Sequence, residues 1–230
     1  MIKALLLDFN GVIINDEPIQ MRAYQEILAA ENIALTDAEY YECLGMDDRG
    51  FVEAAYARAG RELEANKMLE IIQHKGQKWH DIMADGVPLF ESVDDFVRKM
   101  ANDFALGIVS MARRTEIDYI LDQTGLASCF DVIVSAEDVT RSKPDPECYR
   151  IGFRELDLAR TRKGHLPMIH SECVVIEDSP AGVQAARAAD LPALGVTNTV
   201  SAEKLRAAGA DWIAKDLNDW FPESFRRAFA

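Results

Sequence analysis

Short apolar runs alternate with longer amphipathic stretches along most of this chain. The runs are rich in Leu and β-branched residues and are shorter than typical helices, so they predict buried strands between covering helices. The predicted strands are Ile2–Leu7, Phe104–Val109, Val132–Val134, Cys173–Ile176, Ala193–Val196 and Trp212–Ala214. We therefore expect an α/β fold with a doubly wound parallel sheet.

One segment, residues 16–85, breaks this alternation because it contains helical patterns and no strand-like run. Its predicted helices are Met21–Glu31, Ala38–Leu44, Phe51–Ala59 and Leu63–Trp79. We interpret the segment as an inserted all-helical cap domain, with the core domain formed by residues 1–15 and 86–230. The crossings near Asn15 and at Asp85-Gly86 are the expected hinges.

Helix starts are marked by a capping residue that precedes an early proline. Asp16-Glu17-Pro18 carries this signal at the start of the cap, and Ser179-Pro180 carries it after the fourth predicted strand. We therefore predict that Asp16 and Ser179 are N-caps.

The net charge of the chain limits the classes of ligand that it can bind. The 230 residues include 25 Lys plus Arg and 39 Asp plus Glu, a net charge of -14, which opposes binding to nucleic acid. A small phosphorylated metabolite remains compatible, because a metal ion and a few cationic side chains can outweigh the mean field locally. We expect a monomer or a weak homodimer.

Two further features bear on location. The four cysteines show no metal-binding spacing and are interpreted as reduced thiols of a cytoplasmic protein. The opening run MIKALLLDFN is too short for a signal peptide or a membrane span, so we expect no membrane partner.

Polar residues close several predicted strands, at the position where parallel sheets bind ligands. Asp8 follows the first strand in LLLDFNGV, and Ser110 follows the second in GIVSMA. Lys143 lies beyond the third strand in SKPDP, and Glu177 and Asp178 close the fourth in VVIEDSPAG. We expect these side chains to converge at one edge of the sheet.

These residue types suit phosphoryl transfer. A carboxylate such as Asp8 can attack phosphorus and form an aspartyl-phosphate, while Lys143 and Ser110 can stabilise the phosphoryl oxygens. A lone Asp after a strand is more often a turn former. The adjacent acids Glu177 and Asp178, however, would be costly to bury without a cation, which indicates a hard divalent metal.

Together, DFNGV, the Ser110 strand end, SKPDP and VVIEDSPAGVQAA resemble the four motifs of the haloacid dehalogenase superfamily. Their order and spacing extend through nearly the whole chain. The helical insert is similar to the cap of the subgroup that contains β-phosphoglucomutase and phosphoglycolate phosphatase. The resemblance implies Asp8 as nucleophile, Ser110 as phosphate ligand, Lys143 as stabilising cation and Mg²⁺ as cofactor.

The resemblance also implies further site residues. The implied metal ligands are Asp8, Asp178, the backbone carbonyl of Asn10, and Glu177 unless it acts on water instead. The candidate substrate-binding residues are Gly11, Met111 and Ala112 near the phosphate, with Arg49 and Lys75 holding a remote anionic group from the cap. For Arg49 and Lys75 a role as solvated helix charges is equally open.

Asn10 departs from the family pattern, which has an aspartate there that transfers protons during both steps. An amide cannot titrate, and loss of a general acid/base costs roughly 10²- to 10⁴-fold in rate. Gln20 is a second departure, because related enzymes often have a histidine at the cap hinge.

Several explanations of Asn10 are open: an engineered substitution, a natural change in an enzyme that needs little acid catalysis, or a phospho-ligand binder without turnover. A further possibility is deamidation of Asn10, which precedes Gly11, because this reaction would restore a carboxylate at position 10 in some molecules. The favoured function is an Mg²⁺-dependent phosphatase acting on a small phosphate monoester. A phosphoglucomutase-like phosphotransferase, a weakly active binding or regulatory protein, and a receiver-type signalling domain are the alternatives.

Overall fold

Six apolar runs form one parallel sheet in the computed structural model, which describes residues 1–84 and 86–230. The strands are β1 (Ala4–Leu7), β2 (Ala105–Val109), β3 (Val132–Val134), β4 (Cys173–Glu177), β5 (Ala193–Val196) and β6 (Trp212–Ala214). They follow the order β3-β2-β1-β4-β5-β6, and every pair of neighbours is parallel. The predicted sheet is confirmed, and β1 lies inside it.

Along the chain, the α-helices connect these strands and follow the last one. They are α1 (Glu17–Ala30), α2 (Asp37–Tyr41), α3 (Asp48–Arg58), α4 (Ala65–Met83), α5 (Val93–Ala101), α6 (Arg114–Thr124), α7 (Glu147–Arg162), α8 (Pro180–Ala188), α9 (Ala202–Ala208) and α10 (Pro222–Ala228). None of the described helices has the length and apolarity needed to cross a bilayer.

The strands have apolar residues on both faces, which explains why helices cover both faces of the sheet. In β1, Leu5 and Leu7 belong to one buried cluster, whereas Ala4 and Leu6 belong to another on the opposite face. This division follows from the period of two along a strand. The first cluster includes side chains of α5, α6 and α10, and the second includes side chains of α7, α8 and α9.

Helices α1 to α4 form the insert, and no strand occurs in the described residues 16–84. They have a buried cluster of their own, which includes Leu28 of α1, Tyr40 of α2, Val52 of α3 and Ile71 of α4. The end of α4 departs from this pattern, because Trp79 packs in the core cluster. The domain boundaries stay predictions, and Asp85 of the second expected hinge lies outside the described residues.

The insert also contacts the core through the loop before α3. Gly45 has φ +90°, and a Cβ there would lie 2.8 Å from the Cβ of Ala181 and 3.2 Å from that of Lys143. Only glycine allows this conformation and this close approach. The backbone N–H of Asp47 donates to Ser142 Oγ at 3.3 Å, so the loop lies against the SKPDP segment.

Candidate active site

Asp8, Ser110, Lys143 and Asp178 line one cavity at the carboxyl edge of the sheet. β1 pairs with β2 on one side and with β4 on the other, so the residues that follow these three strands are neighbours in space. Lys143 reaches the same place from the segment that follows β3, and its Nζ lies 3.0 Å from Asp8 Oδ2. The structure therefore brings together the side chains that the sequence predicted to act as nucleophile, cation and hydroxyl donor.

Lys143 is held by buried partners. Its ammonium lies 2.7 Å from Glu177 Oε1 and donates to the carbonyl of Val109 at 3.2 Å. Burial opposes the charged form, but Asp8 and Glu177 outweigh burial and raise the pKa of Lys143 above its ordinary value. The side chain is therefore a fixed positive charge beside Asp8.

Glu177 uses both of its carboxylate oxygens on protein donors. Oε1 accepts from Lys143 and from the hydroxyl of Tyr149, each at 2.7 Å. Oε2 accepts from Ser179 Oγ at 3.0 Å and from the backbone N–H groups of Asp178 and Ser179 at 3.2 Å. Burial alone would raise the pKa of Glu177, but Lys143 and these hydrogen bonds hold it below its ordinary value. This environment suits a residue that orients Lys143.

Ser179 also caps α8, as predicted, because its side chain accepts from the backbone N–H of Gly182 at 3.0 Å. One hydroxyl thus holds the helix start and Glu177 together. The prediction from the Ser179-Pro180 pair is confirmed.

Carboxylate oxygens of Asp8, Glu177 and Asp178, one from each residue, lie within 4.8 Å of one another. Because both oxygens of Glu177 already accept hydrogen bonds from the protein, Asp8 and Asp178 are the better candidates for metal ligands. Burial and the charge of Glu177 raise the pKa of Asp8 to about 7 against the opposing effect of Lys143, and they raise the pKa of Asp178 well above its ordinary value. Such mutual repulsion is what a bound cation would relieve. The donor set therefore fits a hard, oxygen-loving metal ion.

Two further features of this loop agree with a metal. The carbonyl oxygen of Asn10 accepts no hydrogen bond from the described residues, which leaves it free as a ligand. Gly11 has φ +75°, and a Cβ there would overlap the carboxylate of Asp178. Gly11 is thus required for the loop to approach Asp178.

Asn10 and Gln20, the two departures from the family pattern, are joined by one buried carboxylate. Asp16 is 0% exposed, and Asn10 Nδ2 donates to its Oδ1 at 2.9 Å and its Oδ2 at 3.0 Å. Gln20 Nε2 and Trp79 Nε1 donate to Oδ2 at 2.9 and 2.8 Å. Asp16 is the N-cap residue of α1, as predicted, but its side chain makes no capping bond and serves these donors instead.

The surroundings of Asn10 suit an amide. Its Nδ2 faces the acceptor Asp16, and its Oδ1 accepts from Ser110 Oγ at 3.3 Å. A carboxylate at position 10 would place two acids in contact. The N–H of Gly11, the group that attacks the side chain in deamidation, donates to the carbonyl of Ile14 at 2.9 Å, which opposes that reaction.

The remaining predicted substrate residues differ in where they lie. Met111 and Ala112 line the cavity, and the N–H of Ala112 donates to Ser110 Oγ at 3.1 Å. Lys75 also lines it, but its ammonium lies 3.1 Å from Asp48 and 3.3 Å from Glu116. Arg49 lines a neighbouring groove instead and is exposed.

Three residues that contact Glu177, Asp178 or Gly11 were not anticipated from the sequence. Tyr149 contacts Glu177, Thr199 Oγ1 donates to Asp178 Oδ2, and Asn198 Nδ2 donates to the carbonyl of Gly11 at 2.8 Å. Asn198 and Thr199 follow β5, so the rule that identified Ser110 would have found them. Tyr149 lies within α7 and carries no comparable signal.

The sequence profile of the haloacid dehalogenase-like hydrolases matches residues 5–196. The chain belongs to this family. The match begins in β1 and ends with β5, so it includes Asp8, Lys143 and Asp178 together with the cap. The cap and the family set aside the receiver-type alternative.

Two curated relatives are similar in sequence to most of this chain. The chloroplastic protein SUPPRESSOR OF QUENCHING 1 of Arabidopsis thaliana is 30% identical over 95% of this chain, but the match spans 20% of that longer protein. Validoxylamine A 7'-phosphate phosphatase of Streptomyces hygroscopicus subsp. limoneus is 26% identical, over 95% of this chain and 96% of its own length.

Solved structures of the family share the fold. The crystal structure of β-phosphoglucomutase from Clostridium difficile superposes with a TM-score of 0.85 at 17% identity, over 100% of this chain and 97% of that one. The haloacid dehalogenase-like core with a helical cap is therefore shown. A hydrolase function with phosphatase-like or phosphomutase-like chemistry follows from the family and its relatives.

Proposed function

We propose that the protein is an Mg²⁺-dependent phosphatase that hydrolyses a small phosphate monoester through an aspartyl-phosphate at Asp8. The observation that carries the proposal is the contact between Asp8 and Lys143 in the cavity that Ser110 and Asp178 also line. A carboxylate nucleophile, a fixed cation and a hydroxyl donor in one cavity are the components that phosphoryl transfer requires.

The residues of the chain divide the reaction between them. Asp8 attacks phosphorus as the bond from phosphorus to the ester oxygen breaks, and the released oxygen takes its proton from solvent because Asn10 cannot supply one. Water then attacks the aspartyl-phosphate, loses a proton to solvent, and releases inorganic phosphate with the carboxylate restored. Lys143 stabilises the charge that develops on the phosphoryl oxygens, and Ser110 orients one of them. Asp8, Asp178 and the Asn10 carbonyl would hold Mg²⁺, which neutralises charge on the nucleophile and the phosphate.

The amide at position 10 indicates that the second step, hydrolysis of the aspartyl-phosphate, is slow. The water that attacks the aspartyl-phosphate must lose a proton, and an amide hydrogen-bonded to Asp16 cannot accept it. The first step lacks a general acid for the same reason, but a leaving group as weakly basic as nitrophenolate needs no proton. With p-nitrophenyl phosphate we therefore expect the phosphoenzyme to form faster than it breaks down. A binding or regulatory protein that retains its phosphorylated ligand is the second candidate, and Asn10 is the observation that favours it.

Turnover of p-nitrophenyl phosphate, measured with Mg²⁺ and with EDTA, tests the proposal. We expect an Mg²⁺-dependent burst of nitrophenol followed by slower steady turnover, and acid-quenched protein should carry one phosphoryl group on the peptide that contains Asp8. Asp8→Asn should abolish both. Asp95→Asn, an exposed aspartate of α5, is the matched control and should behave as wild type.

Two results would contradict parts of the proposal. Steady turnover that persists in Asp8→Asn would exclude Asp8 as the nucleophile. Binding of phosphate or its esters without any phosphoenzyme would favour the ligand-binding alternative.

A further inference from the structure

The active-site cavity is lined by an excess of acidic side chains. Among the described residues, six carboxylate residues line it, namely Asp8, Glu17, Asp47, Asp48, Glu116 and Asp178. Two cations, Lys75 and Lys143, line it as well. Asp8, Asp178 and Lys143 belong to the phosphoryl site, which leaves four acids and Lys75 for the rest of the cavity. We call these four acids, Glu17, Asp47, Asp48 and Glu116, the acidic wall.

Lys75 does not offset this charge for a ligand. The ammonium lies 3.1 Å from Asp48 Oδ1 and 3.3 Å from Glu116 Oε1, and the side chain is 3% exposed. Burial opposes its charge, but Asp48 and Glu116 raise the pKa of Lys75 above its ordinary value. The lysine is thus a structural cation that links α4 of the cap to α6 of the core.

Asp48 has an acceptor that the protein leaves unused. Its Oδ1 accepts from the hydroxyl of Tyr24 at 2.5 Å and contacts Lys75. Its Oδ2 is buried and has no hydrogen-bond partner among the described residues. A buried carboxylate oxygen without a donor is costly, so an ammonium of the ligand would be stabilising once the Asp48 side chain, which lines the cavity, turns Oδ2 toward it.

Glu17 is the second acceptor of the acidic wall. Its Oε2 accepts from the hydroxyl of Tyr40 at 2.6 Å, and its Oε1 accepts no hydrogen bond from the described residues. Burial and the nearby Asp16 raise the pKa of Glu17 to about 7. The nearby Lys75 only partly opposes this rise, so a ligand ammonium beside the free Oε1 would stabilise the charged form of Glu17.

We propose that the acidic wall selects phosphate monoesters whose organic part carries an ammonium group, and that it rejects esters with a second anionic group. The inference rests on the phosphatase function proposed above and adds the substrate class to it. A second phosphate or carboxylate would face like charge and an unmet acceptor, whereas an ammonium would donate to Asp48 Oδ2 and Glu17 Oε1. This reverses the expectation that Lys75 and Arg49 hold a remote anion.

Two series of substrates with matched sizes test the proposal. The first is phosphoethanolamine, 2-hydroxyethyl phosphate and 2-phosphoglycolate, in which an ammonium, a hydroxyl and a carboxylate replace one another. The second is glucosamine 6-phosphate, glucose 6-phosphate and 6-phosphogluconate. We expect kcat/KM to fall in the order ammonium, hydroxyl, carboxylate, by about tenfold a step, the size of one hydrogen bond to a charged group.

Variants of the acidic wall identify its residues. Asp48→Asn and Glu17→Gln should each lower the roughly tenfold ratio of kcat/KM between the ammonium and hydroxyl members by about threefold, mainly through KM. The ratio is formed within one variant, so a loss of stability or chemistry common to both substrates cancels. Glu53→Gln removes an exposed charge from the same helix as Asp48 and should leave the ratio unchanged.

The outcomes separate this inference from the proposed function. Turnover of p-nitrophenyl phosphate at Asp8, combined with equal or better use of the carboxylate members in both series, would overturn the inference and leave the phosphatase intact. A ratio that neither Asp48→Asn nor Glu17→Gln changes would also overturn it. A protein without any turnover would instead contradict the proposed function, and calorimetric affinities of the same esters would still test the order.

Discussion

The pair formed by Asn10 and Asp16 yields a quantitative prediction. Asn10→Asp is the obvious change to restore a proton-transferring carboxylate, but it would place that carboxylate about 3 Å from the fully buried Asp16. Two unit charges at this distance repel by about 5 kcal/mol at an effective dielectric constant of 20. The variant can avoid the repulsion by binding a proton, which costs about 4 kcal/mol at pH 7 for a carboxyl with a pKa near 4.

We therefore expect Asn10→Asp to lower the free energy of unfolding by about 3 to 4 kcal/mol at pH 7. The sign follows from linkage: the folded variant retains a proton that the unfolded chain releases, so its stability falls as the pH rises above about 4. Near pH 4 the penalty should largely disappear. Urea unfolding of wild type and variant at both pH values measures the difference.

The double variant Asn10→Asp with Asp16→Asn exchanges the two side chains and restores one carboxylate and one amide. It should recover most of the lost stability, so a double-mutant cycle with Asp16→Asn should give a coupling of about 2 kcal/mol or more. Steady turnover should rise by ~10²- to 10⁴-fold only in the exchanged variant, because only there is position 10 free to ionise.

Equal stability of Asn10→Asp and wild type at pH 7, together with zero coupling in the cycle, would show that positions 10 and 16 do not repel. An increase in turnover in Asn10→Asp alone that equals the increase in the exchanged variant would show that position 10 ionises beside Asp16. Asp95→Asn, at an exposed carboxylate of α5, controls for the change in net charge in the Asp16→Asn arm of the cycle.

Three further predictions concern the same site. Without metal, the pKa of Asp8, raised to about 7, predicts that Tm falls as the pH rises from 4 to 7. Mg²⁺ should raise Tm and flatten this slope, and Asp178→Asn should weaken the effect of Mg²⁺. Equal slopes with and without Mg²⁺ would contradict the prediction. Gly11→Ala should abolish phosphoenzyme formation and Mg²⁺ stabilisation together, as mass spectrometry and Tm would show, since its Cβ meets Asp178. Tyr149→Phe removes a 2.7 Å hydrogen bond to Glu177 and should cost about 1 to 2 kcal/mol in urea unfolding, and no measurable loss would exclude a stabilising role.

The sequence alone determined the sheet and most of the phosphoryl site. Strands in the middle of a parallel sheet are apolar on both faces, so β1, β2 and β4 are readable as short runs of Leu, Ile and Val. The residues that follow such strands must meet at one edge, which is why Asp8 and Ser110 could be placed together without coordinates. The insert was readable because its apolar residues have helical spacing.

Only the tertiary structure decided how the charges pair. The sequence shows that Asp16, Lys75 and Glu177 are ionisable, but not which partners satisfy them, since those partners lie on other elements, 34 to 63 residues away for the main contacts. The sequence therefore placed Asp16 at the helix start but not its side chain among the donors of other elements, and Lys75 looked like a free cation for a substrate anion. A charged group acts through its neighbours in space, and packing of the cap against the core sets those neighbours.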